Sequence, residues 1–369
     1  MYLPAFPSIM REFTVDESIV QLTLSSWLLG NGLAQLIFGP LSDRIGRRPV
    51  IFGGGVVFIL SCIGCIYVKD INLFIVLRFF QGAAVCSVAV AGYAAIHESF
   101  ADNQAVKLIA FMSMIAVWAP MVGPLAGGYV VTHYSWQTIF AIIMWITIVA
   151  MIGLYFVMPE TLVDKNRNSM NIRNLIAEYK EVLTNKEFIR YCIIFGFTVA
   201  GLLAWIATGP VYLMIQNRFS PEEFGFAQIP VFGGFMIGSL IVRLQVERVA
   251  MRSLLKLGLS ICFVGAFIIL ATVVVDESFA AAVIVGMSIY GIGFGTAAAP
   301  VARLAFNSST GGKGVVNAVY SSSMLMISSG VTLIISAIGS ESLSVFAVIV
   351  NLMVIIGFIG FYWNKRASS

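Results

Sequence analysis

The chain has 369 residues, of which 59% are hydrophobic and only 11% charged, with a mean hydropathy of +0.94. That balance excludes a soluble globular domain and places the chain among integral membrane proteins. A formal charge of +4 is too small to point to nucleic acid, so the placement of the charges says more than their sum.

In chain order, residues 1–10 form a short apolar segment with Pro4 and Pro7, ending at Arg11-Glu12. At ~1.5 Å per residue it covers about half of a bilayer. Eleven longer apolar stretches follow, near 17–38, 50–68, 72–96, 105–131, 137–158, 188–215, 222–243, 253–275, 279–302, 314–338 and 341–363. Each has the roughly 20 residues a spanning helix needs. Only Arg11, Lys69 and Arg218 fall on one side of these stretches. Every other Lys and Arg except Arg78 sits on or bordering the side that holds Arg44, Arg47 and Arg48. The positive-inside rule makes that second side cytoplasmic, and the C-terminus with it. Counting back from the C-terminus puts residues 11–16 outside. Residues 1–10 are therefore expected to be the outer half of a first helix, and the intact protein to have twelve spans. Met1 is not followed by a basic region and a cleavage site, so no cleavable signal peptide is expected.

Pro159 stops the sixth span and opens a polar run. Within it Ile172, Leu175, Ile176, Tyr179, Val182 and Leu183 recur at helical spacing between charged residues. The pattern predicts an amphipathic helix, either on the membrane face or solvated as a linker. The expected organisation is all-α: a six-helix bundle over 1–158, a cytoplasmic linker over 159–187 and a second six-helix bundle over 188–369. Two such pseudo-symmetric bundles enclose a cavity.

The loop after the second span (17–38) reads Gly39-Pro-Leu-Ser-Asp43-Arg44-Ile-Gly46-Arg47-Arg48-Pro49. A tight helix–helix connection accounts for its Gly and Pro. Asp43 among three arginines can accept their hydrogen bonds and latch neighbouring helices, or the cluster is a topology signal alone. Arg78 lies about two turns into the fourth span, where a charge costs about 2.5–3.5 kcal/mol on insertion scales. It faces a cavity or partner, or snorkels toward Asp70. Gln81, one turn on, is within reach of the same network. Glu98 sits at the inner end of that span. Pro120 and Pro124 bend the fifth span, and Gly123, Gly127 and Gly128 thin it for close helix packing. Arg303, near the inner end of the tenth span, faces the cavity or snorkels. Cys62, Cys65, Cys86, Cys192 and Cys262 lie within apolar stretches; the C-x-x-C of the first two reads as packing or as redox or metal chemistry. No metalloprotease H-E-x-x-H, nucleophile elbow or P-loop is present, so no enzyme, catalytic residue, metal site or cofactor is expected.

The spacing G-x-x-x-D-R-x-G-R-R over 39–48 resembles the signature loop of the major facilitator superfamily. "LRFFQG" at 77–82 is similar to that family's fourth-helix arginine motif, and "APMVGPLAGG" at 119–128 to the fifth-helix motif of its antiporter branch. "MYLPAFPSI" and "GYAAIHESF" (92–100) look like the Bcr/CflA group of drug:proton antiporters. The resemblance implies proton-driven export of lipophilic cationic or neutral drugs from a bacterial-type inner membrane by a monomer; a carrier of another cargo, siderophore or metabolite, is the alternative. It implies proton-coupling roles for Arg78, Gln81 and Glu98, with Glu98 also able to pair with Arg47 or Arg44. It implies a latch of Gly39, Asp43, Arg44, Gly46, Arg47 and Arg48, and a leak-preventing helix around Pro120, Gly123, Pro124, Gly127 and Gly128. Tyr93, Met112, Ala116, Leu202, Leu203, Trp205 and Ile206 match cavity-facing stretches of that group. An aspartate just before the M-x-x-P segment, common in the group, falls before Met1. This chain alone is therefore expected to couple poorly. In "GSLIVRLQVERVAMR" (238–252) Val242 replaces the loop aspartate, so the second copy is degenerate and coupling is placed in the first half.

Overall fold

A computed structural model describes residues 1–100, 102–161, 172–309, 313–338 and 342–363. The described residues are helical throughout, without strands. A 3₁₀ turn, Leu3–Ala5, leads into α1 (Phe6–Phe13). Then come α2 (Glu17–Ile45), α3 (Arg47–Tyr67), α4 (Ile71–Ser99), α5 (Asp102–His133) and α6 (Gln137–Val157). After the linker helix α7 (Ile172–Thr184), the second half contains α8 (Lys186–Pro210), α9 (Pro221–Gln245), α10 (Met251–Val275), α11 (Ala280–Ser308), α12 (Lys313–Ile338) and α13 (Leu343–Tyr362). A π-helical turn, Val211–Gln216, extends α8 beyond Pro210. Nine of the described helices, α2 and α5 not among them, are apolar and long enough to cross a bilayer.

Each of the eleven apolar stretches lies on one long helix, the one at 188–215 completed by the π-helical turn, and the largest boundary shift is at the end of the first. α2 does not end at Gly39: it runs through Pro40 to Ile45, and α3 starts at Arg47. The connection is thus a single residue, Gly46, whose φ of +109° suits glycine. The helix tolerates Pro40 because the carbonyl it orphans, that of Leu36 four residues back, accepts a hydrogen bond from the Tyr179 hydroxyl at 3.1 Å.

Two helix bundles result. In the first, α2 packs on α4, α4 on α3 and α3 on α6; in the second, α11 packs on α10, α9 and α8, and α13 on α8 and α10. They meet along two seams, α2 against α12 and α5 against α9. The end carrying Arg44, Arg47 and Arg48 is called here the basic end. Toward the opposite end the seams are closed. Ser25 donates to Thr332 Oγ1 (2.7 Å), Ser329 to the Ser25 carbonyl (2.9 Å) and Ser336 to the Ser18 carbonyl (2.5 Å). On the second seam Gly128 lies so close to α9 that a Cβ there would sit 2.4 Å from the Pro221 carbonyl oxygen. Leu24 and Leu28 of α2, Ala207 of α8 and Leu325 of α12 form an apolar plug across both bundles. These contacts close both seams toward the opposite end.

α7 takes its apolar face onto protein. Val182 is buried with Phe188, Tyr191, Val316 and Tyr320 of the second bundle, and Leu175 and Tyr179 pack beside them. Ile176 and Leu183 stay exposed, so the helix is neither a free solvated linker nor one whose whole apolar face meets lipid. The part of the linker at 162–171 lies outside the described residues.

Candidate functional site

α4 begins at Asp70, whose side chain accepts from the backbone N–H groups of Asn72 and Leu73. Two turns in, Arg78 is 6% exposed, which excludes the snorkelled alternative. Its guanidinium lies 4.3 Å from the ring centre of Tyr2 and 5.9 Å from that of Phe140. Tyr2 is in ring contact with Phe6, Phe74 and Phe140, and Phe74 with Phe140, so the charge lies against one side of an aromatic cluster. Arg78 donates to Gln81 Oε1, and Gln81 donates in turn to Cys62 Sγ at 3.0 Å. Among the described residues, no carboxylate forms an ion pair with Arg78. A cation held by quadrupoles and one amide, rather than neutralised, retains its full field for an incoming charge. Tyr2, on the N-terminal turn, was not anticipated from the sequence; an aromatic two residues before Pro4 was the available signal.

The signature loop forms a separate network at the basic end. Arg47, buried, donates to Glu98 Oε1 from Nη2 (2.8 Å) and to Ser42 Oγ from Nη1 (2.6 Å), and pairs with Asp43. Thr161 donates to Glu98 Oε2 at 2.6 Å. Glu160 accepts the backbone N–H groups of Arg47 (2.9 Å) and Arg48 (3.3 Å), capping the first turn of α3. The φ of +109° requires the glycine at position 46, and a Cβ there would also displace the Glu160 carboxylate, 2.4 Å away. Gly39 contributes its carbonyl to Ser42 Oγ at 2.9 Å. Arg44 is exposed. Arg48 turns away from the acids: it donates to the Tyr155 carbonyl (2.8 Å) and stacks on Phe52 and Tyr155. Glu160 and Thr161 were missed; an acid directly after the helix-stopping Pro159 was the sequence signal.

Glu98, one of the residues expected to carry proton coupling, lies in this loop network and makes no ion pair with Arg78. Burial raises its carboxyl, but hydrogen bonds from Arg47 and Thr161 and the Arg47 charge outweigh it and hold the group below the ordinary carboxylate value. It stays ionised at neutral pH and pairs with the loop at the far end of the helix that carries Arg78.

The residues proposed to face the cavity separate by helix face. Leu203 and Ile206 pack against the apolar plug between the bundles. Leu202 and Trp205 do not: they lie on the neighbouring stripe of α8, inside the second bundle, where Trp205 is 1% exposed and donates to Gln228 Oε1 at 3.0 Å. A stretch read by resemblance carries both stripes, and packing selects one. Tyr93 and Met112 are half-buried on α4 and α5, and Arg303 is exposed near the basic end of α11. The side chain of Ala116 lies outside the described residues. On α5 the helix continues through Pro120 and Pro124. Gly127 receives the Met1 backbone, a Cβ there falling 2.0 Å from the Met1 carbonyl oxygen, and Gly123 lies against the same segment. Gly128 faces the other way, onto α9. The five cysteines are buried and free.

Two bundles of long apolar helices, a buried cation in one of them and a polar network at one end define a polytopic membrane protein. The family model for the Major Facilitator Superfamily matches residues 1–333. The chain belongs to the major facilitator superfamily. It is 33% identical over 327 residues to the "Multidrug transporter MdfA" of Yersinia pestis bv. Antiqua (strain Angola), covering 89% of this chain and 80% of that protein. It is 35% identical over 318 residues to the protein of the same name from Edwardsiella ictaluri (strain 93-146), covering 86% and 77%. Among solved structures it is similar to a D-xylose-proton symporter, with a TM-score of 0.74 over 99% of this chain and 94% of that one. It is also similar to the partially occluded, inward-open xylose transporter XylE from E. coli, with a TM-score of 0.72 over 95% and 87%. At 16% and 14% identity these two show the shared fold.

Proposed function

We propose that the protein is a proton-coupled multidrug exporter that releases lipophilic cationic or neutral compounds in exchange for protons, by alternating access between its two bundles. The observation that carries this reading is Arg78: a buried guanidinium held by rings and an amide and by no carboxylate of the described chain. Such a charge changes the protonation of any acid brought near it and repels a cationic drug when that acid is neutral, which is the coupling an antiporter needs. The relatives named as multidrug transporters support the choice of cargo.

In this reading Arg78 and Gln81 carry coupling, and the Asp43–Arg47–Glu98–Glu160 network latches the basic end. Leu203, Ile206, Tyr93, Met112, Ala116 and Arg303 line the drug path, and α5 with Pro120, Gly123, Pro124, Gly127 and Gly128 seals it. The bundles are 1–158 and 188–369, with 159–187 as the linker. The protein acts as a monomer in a bacterial inner membrane with its C-terminus in the cytoplasm. The proton gradient drives it without a cofactor: one proton moving through the potential supplies about 2.3 kcal/mol per 100 mV.

The test uses everted vesicles containing the full 369-residue chain, an imposed proton gradient and a lumenal pH dye. Adding a lipophilic cation or chloramphenicol is expected to release lumenal protons, only weakly from this chain, and Arg78→Ala to abolish the release. No release with drugs, but release with a siderophore or metabolite, would replace the cargo and leave the coupling residue in place.

A further inference from the structure

Pro40 has no N–H, so the Leu36 carbonyl has no partner four residues on. A carbonyl left unpaired near the apolar region is costly. Here it is met from another element, 143 positions away: the Tyr179 hydroxyl donates to it at 3.1 Å. Tyr179 belongs to α7, which is anchored in the second half through Val182 and Leu175. Leu36 belongs to α2, whose final turns hold Ser42 and Asp43 of the signature loop. One hydrogen bond thus crosses between the halves at the basic end, while the seams are closed toward the opposite end.

Tight packing does not make this contact. Between α2, α7 and α12 lies a cavity of about 400 Å³ lined by Leu36, Ile176, Tyr179, Val319, Ser322 and Met326 among others. The two serine hydroxyls of its α12 wall are turned to their own helix, Ser322 to Met326 Sδ (3.5 Å) and Ser323 to the Val319 carbonyl (2.6 Å), so neither competes for Leu36. Burial, with the carboxylates of Glu178 and Asp43 nearby, raises the Tyr179 phenol above its ordinary value. It therefore remains a donor throughout the neutral range.

We infer that Tyr179 is a positioning residue for alternating access: its hydroxyl fills the acceptor that Pro40 leaves open on Leu36 and pins the linker helix, and the second half with it, to the signature-loop end of α2 in this conformation. A rocking motion that opens the far seam moves α2 relative to α7 and breaks the bond. The inference rests on alternating access, which any cargo requires, so failure of drug export would leave it standing.

The test is a double-variant cycle on the full chain in lipid nanodiscs. Spin labels are placed at Ile37→Cys and Lys180→Cys, both exposed positions; the native cysteines are buried and resist labelling. Tyr179→Phe keeps the ring and removes the donor. It is expected to shift the α2–α7 distance distribution away from this conformation by about two- to tenfold, the range of one net hydrogen bond. Pro40→Ala restores an N–H to Leu36 within α2, and in that background Tyr179→Phe is expected to have no further effect. An unchanged distribution in Tyr179→Phe overturns the tie. A full Tyr179→Phe effect that persists with Pro40→Ala overturns the assignment of its acceptor. Thermal melting of each variant confirms that the shift is read on folded protein.

Discussion

At the scale of the residue, Arg78 and Glu98 show how environment divides two charged groups on one helix. Arg78 is stabilised by ring faces, a geometry a planar guanidinium suits and a compact ammonium does not. A desolvated cation–π contact is worth about 2 kcal/mol; carried into a barrier, that is roughly thirtyfold in rate. Arg78→Lys is therefore expected to slow drug-dependent proton release by about that factor while leaving the protein folded, as read by dye quenching and thermal melting on the same preparation. Glu98 behaves oppositely. Its folded pKa is lowered from an ordinary 4.5, so its pairing contributes stability above that value and loses it as pH falls through the lowered pKa. The melting temperature of the wild type is expected to drop on acidification through this window, and Glu98→Gln to melt lower at neutral pH and show a smaller acid dependence. A wild-type curve with the same acid dependence as Glu98→Gln would remove Glu98 from the latch. The charge and depth of Arg78 were legible in the sequence. Its ring partners were not, because Tyr2 and Phe140 are separated from it by 76 and 62 positions.

At the scale of the element, α5 carries glycines that do different work on different faces. Gly128 admits the α9 backbone, and any side chain there meets a carbonyl oxygen at 2.4 Å. Gly128→Ala must move one helix, with an overpacking cost of about 1–3 kcal/mol. Gly153 on α6 has nothing within 4 Å of its added Cβ, and Gly153→Ala gains helix propensity of up to about 1 kcal/mol. Melting of both variants is expected to move in opposite directions; equal shifts would mean that the α5–α9 seam yields freely. The glycine and proline pattern of α5 could be read along the chain. Which glycine faced which neighbour could not, since that depends on the rotation of α5 against helices placed by other parts of the sequence. The same holds for α8, where Leu203 and Ile206 reach the plug between the bundles and Leu202 and Trp205 the interior of one.

At the scale of the whole molecule, the closed seam depends on hydroxyls as much as on hydrocarbon. Ser25, Ser329 and Thr332 bridge α2 and α12 where lipid offers no competing partner. Such bonds average about 0.6 kcal/mol in membrane proteins. Ser25→Ala and Thr332→Ala, combined in a cycle, are expected to show that coupling as a roughly threefold change in the population open at the opposite end, read by spin labels across it. No coupling would mean that the Leu24–Leu28–Leu325 plug alone sets the seam.

The sequence by itself determined the membrane class, the number and approximate place of the long helices, the clustering of the basic residues and the spacing of the signature loop. These follow from local quantities: hydropathy over a bilayer's width, the placement of Lys and Arg, and the few residues that turn a chain tightly. Only the tertiary structure decided that Glu160 caps α3, that Glu98 pairs with Arg47, that α2 passes through Pro40, and that Tyr179 repairs the break this makes. Each joins groups separated by 50 or more positions. A charge or an orphaned carbonyl announces in sequence that a partner is needed; its identity is fixed by how the bundles pack.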